Sequence, residues 1–550
     1  MPTVSAHVAR TLADHVDHVF GLMGNGNAYF LDALERETAV RFTAVRHEAG
    51  GVVAADAYYR ASGRLAAATS TYGAGFTNTL TALAEAVQAR VPLVLVVGDE
   101  PTSGPRPWGV DQIALASAVG ARTYTVGRAD AAATTVIAIE HALSYRMPAV
   151  LAIPYDVAAL EAGPVPSAPE PHLPGPLAPR GPFAERGLSD IAAALAGARR
   201  PFLLAGRGAW ISGAGGALGR LADATGAVTA STALGRGVFP RAEYDLGVTG
   251  GFGAERAMEL VREADVAVVF GASLNQFTMR FGELFAPGTR VFQVDVAPAA
   301  THPHVGAYVR ADAAVVARAV VDELGRLDAG PSGWRESVDV GALRAYAPGD
   351  ALAADGRLDP RSAAARIGQL LPDDRIVVSD GGHFIGWANM YWPVASPDRM
   401  MMIGTAFQSI GLGFPSVPGA AMARPEATVV LSTGDGGGLM ALADLETAVR
   451  VAGGRGLAVV WNDAAYGAEI NLYGLKGLAQ GPMRIPEVDF AGLAASVGAE
   501  GVVVRTLDDL ERLATWTATP ASDRPFLLLD LRISGDVIAP YQQEIIRVNS

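Results

Sequence analysis

Short apolar runs alternate along the chain with longer alanine-rich segments whose apolar positions recur at helical spacing. The runs are apolar at consecutive positions, which is typical of strands buried on both faces of a parallel sheet. In the first third of the chain we predict strands at residues 40–45, 65–70, 92–98 and 150–154, and helices at residues 50–61 and 78–89. This alternation of strands and helices predicts an α/β fold.

Two irregular stretches divide the pattern into three blocks. Prolines crowd residues 163–185, which is typical of a semi-rigid linker, and residues 328–360 lack a regular pattern. Further strands are predicted at residues 201–206, 266–271, 290–295, 375–379, 428–432, 457–461 and 526–530. We therefore predict three domains, each a mainly parallel sheet flanked by helices, at residues 1–162, 186–327 and 361–550.

Composition narrows the class of protein. Half of the 550 residues are hydrophobic and 18% are charged, which supports large buried cores. The net charge of −13 argues against a nucleic-acid partner, and the absence of cysteine excludes disulfides and thiolate chemistry. The first residues do not resemble a signal peptide, and no apolar run is long enough to span a membrane, so we expect a cytoplasmic protein.

A glycine-rich turn follows the strand predicted at residues 428–432. Its residues are Gly434-Asp435-Gly436-Gly437, and we predict a helix at residues 439–451 after it. Backbone amides in such a turn favour a phosphate group, and Asp435 offers the oxygen ligand that magnesium prefers. The next predicted strand delivers Asn462-Asp463 to the same sheet edge. The spacing predicts a magnesium–diphosphate site; the alternative is a plain turn in which Asp435 caps the helix.

Together these motifs resemble the thiamine-diphosphate motif of the superfamily that contains acetolactate synthases, pyruvate decarboxylases and benzoylformate decarboxylases. The resemblance covers essentially the whole chain. It implies pyrimidine-binding, central and diphosphate-binding domains in that order, with thiamine diphosphate and Mg²⁺ as cofactors. It also implies a homodimer or homotetramer, because in this family the cofactor bridges domains of different subunits.

The second metal ligand depends on how the family motif is aligned. Aligning on Tyr466-Gly467, which the resemblance places at the cofactor, makes Asp463 the ligand and adds the carbonyl of Ala465. Counting from the glycine turn instead gives Asn462 and the carbonyl of Ala464. We favour Asp463, because the tyrosine is the nearer landmark and a carboxylate suits magnesium.

Glu48 lies just after a predicted strand, at the start of a predicted helix. It resembles the glutamate that bonds N1′ of the cofactor's pyrimidine in this family. The resemblance implies that Glu48 favours the imino tautomer of the cofactor, which removes the proton from the thiazolium C2. The alternative is a glutamate that only complements the helix dipole, an effect worth about 0.3–1 kcal/mol.

Two segments resemble those that hold the rings of the cofactor. Gly73 and Asn78 belong to a glycine loop that lies near the pyrimidine in the family. Ile410 matches the apolar wedge that keeps the two rings bent, and the carbonyl of Gln408 matches the acceptor of the 4′-amino group. The alternative for Ile410 is an ordinary core position.

Gly382 and His383 follow the strand predicted at residues 375–379. In the acetolactate synthase branch the matching segment touches the diphosphate, so the resemblance implies a hydrogen bond from His383 to that group. The alternative is a histidine at a helix start with no ligand.

The reaction is less sharply indicated. Pro107-Trp108-Gly109 stands where the synthases carry phenylalanine, glutamine and glutamate, and the missing glutamine argues against standard acetolactate synthesis. Trp108 either narrows the substrate pocket or only packs. Glu469 stands where pyruvate decarboxylases place a catalytic glutamate; the alternative is a solvated helix residue. The paired histidines that those decarboxylases carry in the N-terminal domain have no counterpart in the region of Pro107-Trp108-Gly109.

We predict a thiamine-diphosphate- and Mg²⁺-dependent lyase or carboligase that converts a 2-oxo acid to an enamine and joins it to a carbonyl acceptor. The alternative is a simple decarboxylase that releases an aldehyde. The turn at residues 205–210 resembles a dinucleotide-binding turn weakly, and relatives bind FAD, ADP or nothing there, so FAD is not favoured. A nucleotide-dependent oxidoreductase would leave Glu48 and Asp435 unexplained, and the presence of Glu48 argues against a non-catalytic subunit.

Overall fold

The computed structural model describes residues 1–105 and 109–549 of the chain, so Pro107 and Trp108 lie outside the described residues. The described chain forms three α/β domains, each built on a six-stranded sheet in which every pairing is parallel. The predicted fold class is therefore confirmed. No helix in the described residues has the length and apolar character needed to cross a membrane.

The first domain carries the sheet order β2-β1-β3-β4-β6-β5. Its strands are β1 (His18–Gly21), β2 (Arg41–Ala44), β3 (Ala67–Ser70), β4 (Leu93–Asp99), β5 (Arg122–Thr125) and β6 (Pro148–Pro154). Its helices are α1 (Val4–Ala13), α2 (Ala28–Glu37), α3 (Glu48–Ser62), α4 (Ala74–Thr77), α5 (Leu80–Gln88), α6 (Gln112–Ala118) and α7 (Ala131–Tyr145).

The central domain has the order β12-β11-β10-β7-β8-β9, which is the doubly wound order with a switch point between β7 and β10. Its strands are β7 (Pro201–Ala205), β8 (Val228–Ser231), β9 (Asp245–Val248), β10 (Val266–Phe270), β11 (Arg290–Asp295) and β12 (Val305–Arg310). The helices are α8 (Pro182–Ala196), α9 (Arg207–Ile211), α10 (Gly215–Thr225), α11 (Glu255–Arg262), α12 (Ala313–Arg326) and α13 (Val340–Leu343).

The third domain repeats the topology of the first, in the order β14-β13-β15-β16-β18-β17. Its strands are β13 (Arg375–Ser379), β14 (Met400–Met402), β15 (Thr428–Gly434), β16 (Gly456–Asn462), β17 (Glu500–Val504) and β18 (Leu527–Arg532). Its helices are α14 (Pro360–Leu370), α15 (Ile385–Tyr391), α16 (Gly413–Ala423), α17 (Asp435–Met440), α18 (Leu445–Ala452), α19 (Gly467–Glu469), α20 (Phe490–Ser496), α21 (Glu511–Ala518) and α22 (Pro540–Asn549).

The first and third domains share one continuous apolar core. This core includes Val52 and Tyr58 of α3 together with Val417 of α16, all buried. The two helices approach so closely that a Cβ at Gly419 would lie 1.9 Å from the carbonyl oxygen of Ala54. Because α3 begins at Glu48, this packing fixes the helix that carries the predicted catalytic carboxylate against the third domain.

One predicted helix is interrupted in the structure. The helix predicted at residues 439–451 is wrong as one element: α17 ends at Met440, a 3₁₀ turn follows at Leu442–Asp444, and α18 begins at Leu445. The Asp444 carboxylate accepts hydrogen bonds from the Arg46 amide and the Thr447 hydroxyl, which holds this break against the first domain. The helix predicted at residues 78–89 is present as α5, with the short helix α4 directly before it.

Candidate cofactor site

The carboxyl ends of β13, β15 and β16 meet at one edge of the third sheet. β15 lies between the other two strands and is parallel to both, with Ser432 opposite Ser379 and Gly434 opposite Trp461. The polar residues that follow these strands therefore converge, as expected for a ligand site of a parallel sheet.

Asp435 is the first residue of α17 and is only 3% exposed. Its Oδ1 accepts the Gly436 amide at 2.8 Å, whereas its buried Oδ2 has no hydrogen-bond partner among the described residues. Burial, together with the neighbouring Asp463 carboxylate, raises the pKa of Asp435 to about 7. A buried carboxylate with an unpartnered oxygen is a strong candidate for binding a cation.

The Asp463 side chain, 3% exposed, lies beside it. Its Oδ2 is 2.8 Å from Nε2 of His383, and its buried Oδ1 has no partner among the described residues. Burial lowers the pKa of His383, but the Asp463 carboxylate outweighs burial and leaves that pKa above its ordinary value, with smaller contributions from Asp435 and Glu469. The structure thus brings His383 to a predicted metal ligand.

Asn462 precedes Asp463, but its side chain is bonded to different residues. Its Nδ2 donates to Oδ1 of Asp530 at 2.9 Å and to the carbonyl of Val488 at 3.2 Å. Its Oδ1 is buried without a partner among the described residues. The carbonyl of Ala464, which belongs to the Asn462 alternative, already accepts the Ile485 amide at 2.9 Å.

The residues present fit a magnesium ion. Asp435, Asp463 and Asn462 each keep one buried side-chain oxygen that no described donor satisfies. Magnesium takes oxygen ligands and is commonly held by one or two carboxylates together with phosphate oxygens. Within the described chain, no group of three or more histidine, aspartate or glutamate side chains could hold a metal, so an ion here would also need backbone and phosphate oxygens.

Glycines bring the polypeptide close to this edge. A Cβ at Gly436 would lie 2.7 Å from the Tyr466 ring, and one at Gly467 would lie 2.5 Å from Nε2 of His383. Gly434 faces the ring of Phe384 in the same way. The predicted Gly434, Gly436, Tyr466 and Gly467 therefore all lie at the Asp435–Asp463 edge, where any larger residue in place of these glycines would displace a neighbour.

Glu48 lies in the first domain, in the first turn of α3, and is half-buried. Asn78 donates from Nδ2 to its Oε2 at 3.0 Å, and a Cβ at Gly75 would lie 3.4 Å from its Oε1. The predicted Glu48, Gly73 loop and Asn78 are therefore brought together. No hydrogen bond or ion pair in the described part of the chain joins this group to Asp435 or Asp463.

Gln112 is a residue that sequence reasoning missed. It is 4% exposed, and its Oε1 accepts the amide of Gly73, whose φ is +63°. Its Nε2 donates to the carbonyl of Gly98 and to Asp99. The only signal in the sequence was a polar residue on the buried side of a short helix, next to the segment 107–109.

The segment that carries Gln408 and Ile410 lies at the same edge as the diphosphate-side residues. Gln408 is exposed with φ +60°, and Ile410 is partly exposed. The amides of the next two residues, Gly411 and Leu412, donate to Asp380, the buried residue directly after β13. Sequence reasoning assigned no role to Asp380.

The remaining predicted residues lie at the exposed edge of this site or in the central domain. Glu469 and Gly382 are exposed, and the φ of Gly382 is +136°. At the switch point of the central domain, a Cβ at Gly206 would lie 2.5 Å from the carbonyl oxygen of Gly271, so the predicted dinucleotide-like turn packs against backbone.

Family models match most of the chain. Residues 2–118 match the thiamine pyrophosphate enzyme N-terminal TPP binding domain, residues 188–322 the central domain, and residues 380–528 the C-terminal TPP binding domain. The order of the three matches is the order that the sequence motifs imply.

Characterised relatives cover nearly the same length. An acetolactate synthase of Mycobacterium avium is 27% identical over 96% of this chain and 87% of the relative. A sulfoacetaldehyde acetyltransferase of Castellaniella defragrans is also 27% identical, over 99% of this chain and 95% of the relative. The thiamine diphosphate-dependent 4-hydroxybenzoylformate decarboxylase of Rhodococcus jostii RHA1 shares the fold, with a TM-score of 0.79, 22% identity and coverage of 97% and 99%.

Proposed function

Because the chain belongs to the thiamine pyrophosphate enzyme family, we propose that it is a thiamine-diphosphate- and Mg²⁺-dependent lyase or carboligase that acts on a 2-oxo acid. The observation that carries this proposal is the pair of buried carboxylates at Asp435 and Asp463, each with one unpartnered oxygen. Bound thiamine diphosphate supplies an electron sink for the electron pair released when a 2-oxo acid loses carbon dioxide.

We assign the metal to Asp435, Asp463 and the carbonyl of Ala465. The hydrogen bond to His383 leaves one oxygen of Asp463 for the ion, and a carboxylate suits magnesium better than the amide oxygen that Asn462 also keeps free. The Asn462 alternative has a weaker basis, because the carbonyl of Ala464 that would accompany it already accepts a hydrogen bond.

Glu48 is the proposed proton-exchanging residue on the pyrimidine side. Its hydrogen bond from Asn78 fixes one carboxylate oxygen and leaves the other near the glycine loop. This contact orients Glu48 as a general acid–base group has to be oriented. Glu469, exposed at the rim and close enough to raise the pKa of His383, is proposed to exchange a proton with the substrate.

We further propose a homo-oligomer in which the cofactor lies between two subunits. This arrangement is what the resemblance to the family implies. Between the two reactions, the acetolactate synthase and acetyltransferase names of the relatives favour carboligation, and the decarboxylase name of the structural neighbour favours release of an aldehyde.

A product screen tests the proposal. The enzyme, loaded with thiamine diphosphate and Mg²⁺, is given pyruvate, benzoylformate or a branched 2-oxo acid, with and without an aldehyde acceptor. We expect carbon dioxide release from at least one acid and a hydroxyketone when the acceptor is present. An aldehyde product under both conditions would establish the simple decarboxylase, and no carbon dioxide from any acid would refute a 2-oxo acid substrate.

A further inference from the structure

Asp380 is a buried carboxylate that the proposed chemistry does not use. It follows β13, is fully buried, and has no cationic side chain bonded to it in the described part of the chain. Burial raises its pKa to about 6, although four hydrogen bonds act in the opposite direction. A carboxylate placed in such surroundings needs every one of its acceptor positions satisfied.

The four donors come from three separate segments. Oδ1 accepts the amides of Gly381 at 2.8 Å and Leu412 at 3.1 Å. Oδ2 accepts the amide of Gly411 at 3.1 Å and the hydroxyl of Thr433 at 3.1 Å. Each oxygen therefore has two donors, and loss of the carboxylate would leave all four donors without this partner.

Each of these segments leads directly to a predicted cofactor residue. Gly381 precedes Gly382 and His383, Thr433 precedes the Gly434-Asp435 turn, and Gly411 follows Ile410. The first turn of α17 also lies against the carboxylate, since a Cβ at Gly437 would be 2.6 Å from Oδ2 of Asp380. One side chain thus touches three of the segments that border the diphosphate edge.

We propose that Asp380 is a positioning residue that fixes the Ile410 segment at a set distance from the Asp435 turn. This inference rests on the proposed function, because it concerns the same cofactor site. Asp380 acts only through backbone amides and one hydroxyl, so it does not contact substrate. Without the Asp380 carboxylate, the Ile410 segment could move away from the Asp435 turn. The cofactor would then bind more weakly, and Ile410 would no longer keep its two rings bent.

The test compares Asp380→Asn with the wild-type holoenzyme. Asparagine has nearly the same size but only one accepting oxygen, so two of the four donors lose their partner. We expect at least about tenfold weaker thiamine diphosphate binding at saturating Mg²⁺. We also expect a lower kcat with a substrate KM within about threefold, and a smaller near-ultraviolet circular dichroism signal from the bound cofactor.

Three further variants guard against a folding artefact. Thr433→Val removes one neutral donor without changing side-chain size, and we expect a loss of cofactor affinity of about two- to fivefold, whereas Thr433→Ser should restore wild-type affinity. Asp245→Asn is the matched control, because Asp245 is another buried carboxylate, in the central domain, bonded to the amide of Gly247. It should leave cofactor affinity and the dichroism signal unchanged.

Unchanged cofactor affinity and dichroism in a folded Asp380→Asn enzyme would overturn the positioning role. If Asp380→Asn does not fold, wild-type affinity in Thr433→Val would overturn it instead. Failure of the wild-type protein to bind thiamine diphosphate would refute the proposed function itself, so the two failures are distinguished by the wild-type measurement.

Discussion

The two halves of the candidate site are built differently. On the diphosphate side, Asp380, Asp435 and Asp463 are nearly or fully buried, and each has at least one carboxylate oxygen held by a backbone amide or by His383. On the pyrimidine side, Glu48 is half-buried, and its one described hydrogen bond comes from the exposed Asn78. The diphosphate side is held by buried hydrogen bonds before any ligand binds, whereas Glu48 on the pyrimidine side is partly exposed at the surface of the protomer.

The contrast separates binding from chemistry. Buried, unpartnered carboxylate oxygens suit a permanently bound cation, which would satisfy them and in turn hold a phosphate. A carboxylate that is open on one side suits reversible proton exchange with a ring brought by another surface. We therefore expect substitutions on the diphosphate side to act on cofactor affinity and substitutions on the pyrimidine side to act on turnover.

The largest expected effect is that of Glu48→Gln on turnover. Glutamine keeps the size and the contact with Asn78 but cannot exchange a proton, so kcat should fall at least about 100-fold. The affinity for thiamine diphosphate should stay within about threefold, as measured by titration calorimetry. Glu37→Gln, at an exposed position of α2 in the same domain, is the matched control and should leave kcat unchanged. A wild-type kcat in Glu48→Gln would show that Glu48 does not exchange a proton in the reaction.

Asp435→Ala should act on binding instead. At 100 times the dissociation constant a bound ligand stabilises a protein by about 2.7 kcal/mol, which is visible as a rise in Tm. We expect this Mg²⁺- and cofactor-dependent rise in the wild type and none in Asp435→Ala. The exposed Asp508→Ala variant should keep the full rise. A rise of wild-type size in Asp435→Ala would show that the metal lies elsewhere.

Asp463→Ala and Asn462→Ala decide which residue ligates the metal. If Asp463 is the ligand, its alanine variant should bind Mg²⁺ at least about tenfold more weakly in the presence of cofactor. Asn462→Ala should mainly lower the Tm of the free protein, because Asp530 loses its hydrogen bond. The opposite pattern would assign the metal to Asn462 and the carbonyl of Ala464.

The smallest expected effect lies outside both halves, at Asp245. Burial raises its pKa to about 7 from an ordinary value of 3.8. Between these two pH values the Asp245 carboxyl is protonated in the folded state and ionised in the unfolded state. The associated stability is fully present below about pH 4 and is lost as the pH rises through about 7. Asp245→Asn cannot ionise, so its Tm should exceed that of the wild type by a few degrees at pH 8, with the difference vanishing near pH 4. Equal Tm values at pH 8 would show that Asp245 is not held in this way.

Local motifs were enough to predict the residues that end strands. Asp435 and Asp463 directly follow β15 and β16, Glu48 begins the helix after β2, and the parallel topology brings Asp435 and Asp463 to one edge. The three-domain α/β fold followed from the same pattern, because apolar runs without alternation require sheets covered on both faces.

Residues whose role depends on distant amides could not be predicted in this way. Asp380 bonds Gly411 and Leu412, and Gln112 bonds Gly73, so their roles depend on segments about 30 to 40 positions away. The break between α17 and α18 has a similar origin, because Asp444 bonds the Arg46 amide in another domain. Helix periodicity contains no information about such a contact.

Calorimetric titration of thiamine diphosphate into the metal-free protein, with and without Mg²⁺, tests the proposed cofactor site most directly. We expect one cofactor per protomer in the presence of Mg²⁺ and at least about tenfold weaker binding without it. The same titration of Asp435→Ala should show the weak binding under both conditions. Absence of binding to the wild-type protein, or equal affinity with and without Mg²⁺, would contradict a magnesium–diphosphate site at Asp435 and Asp463.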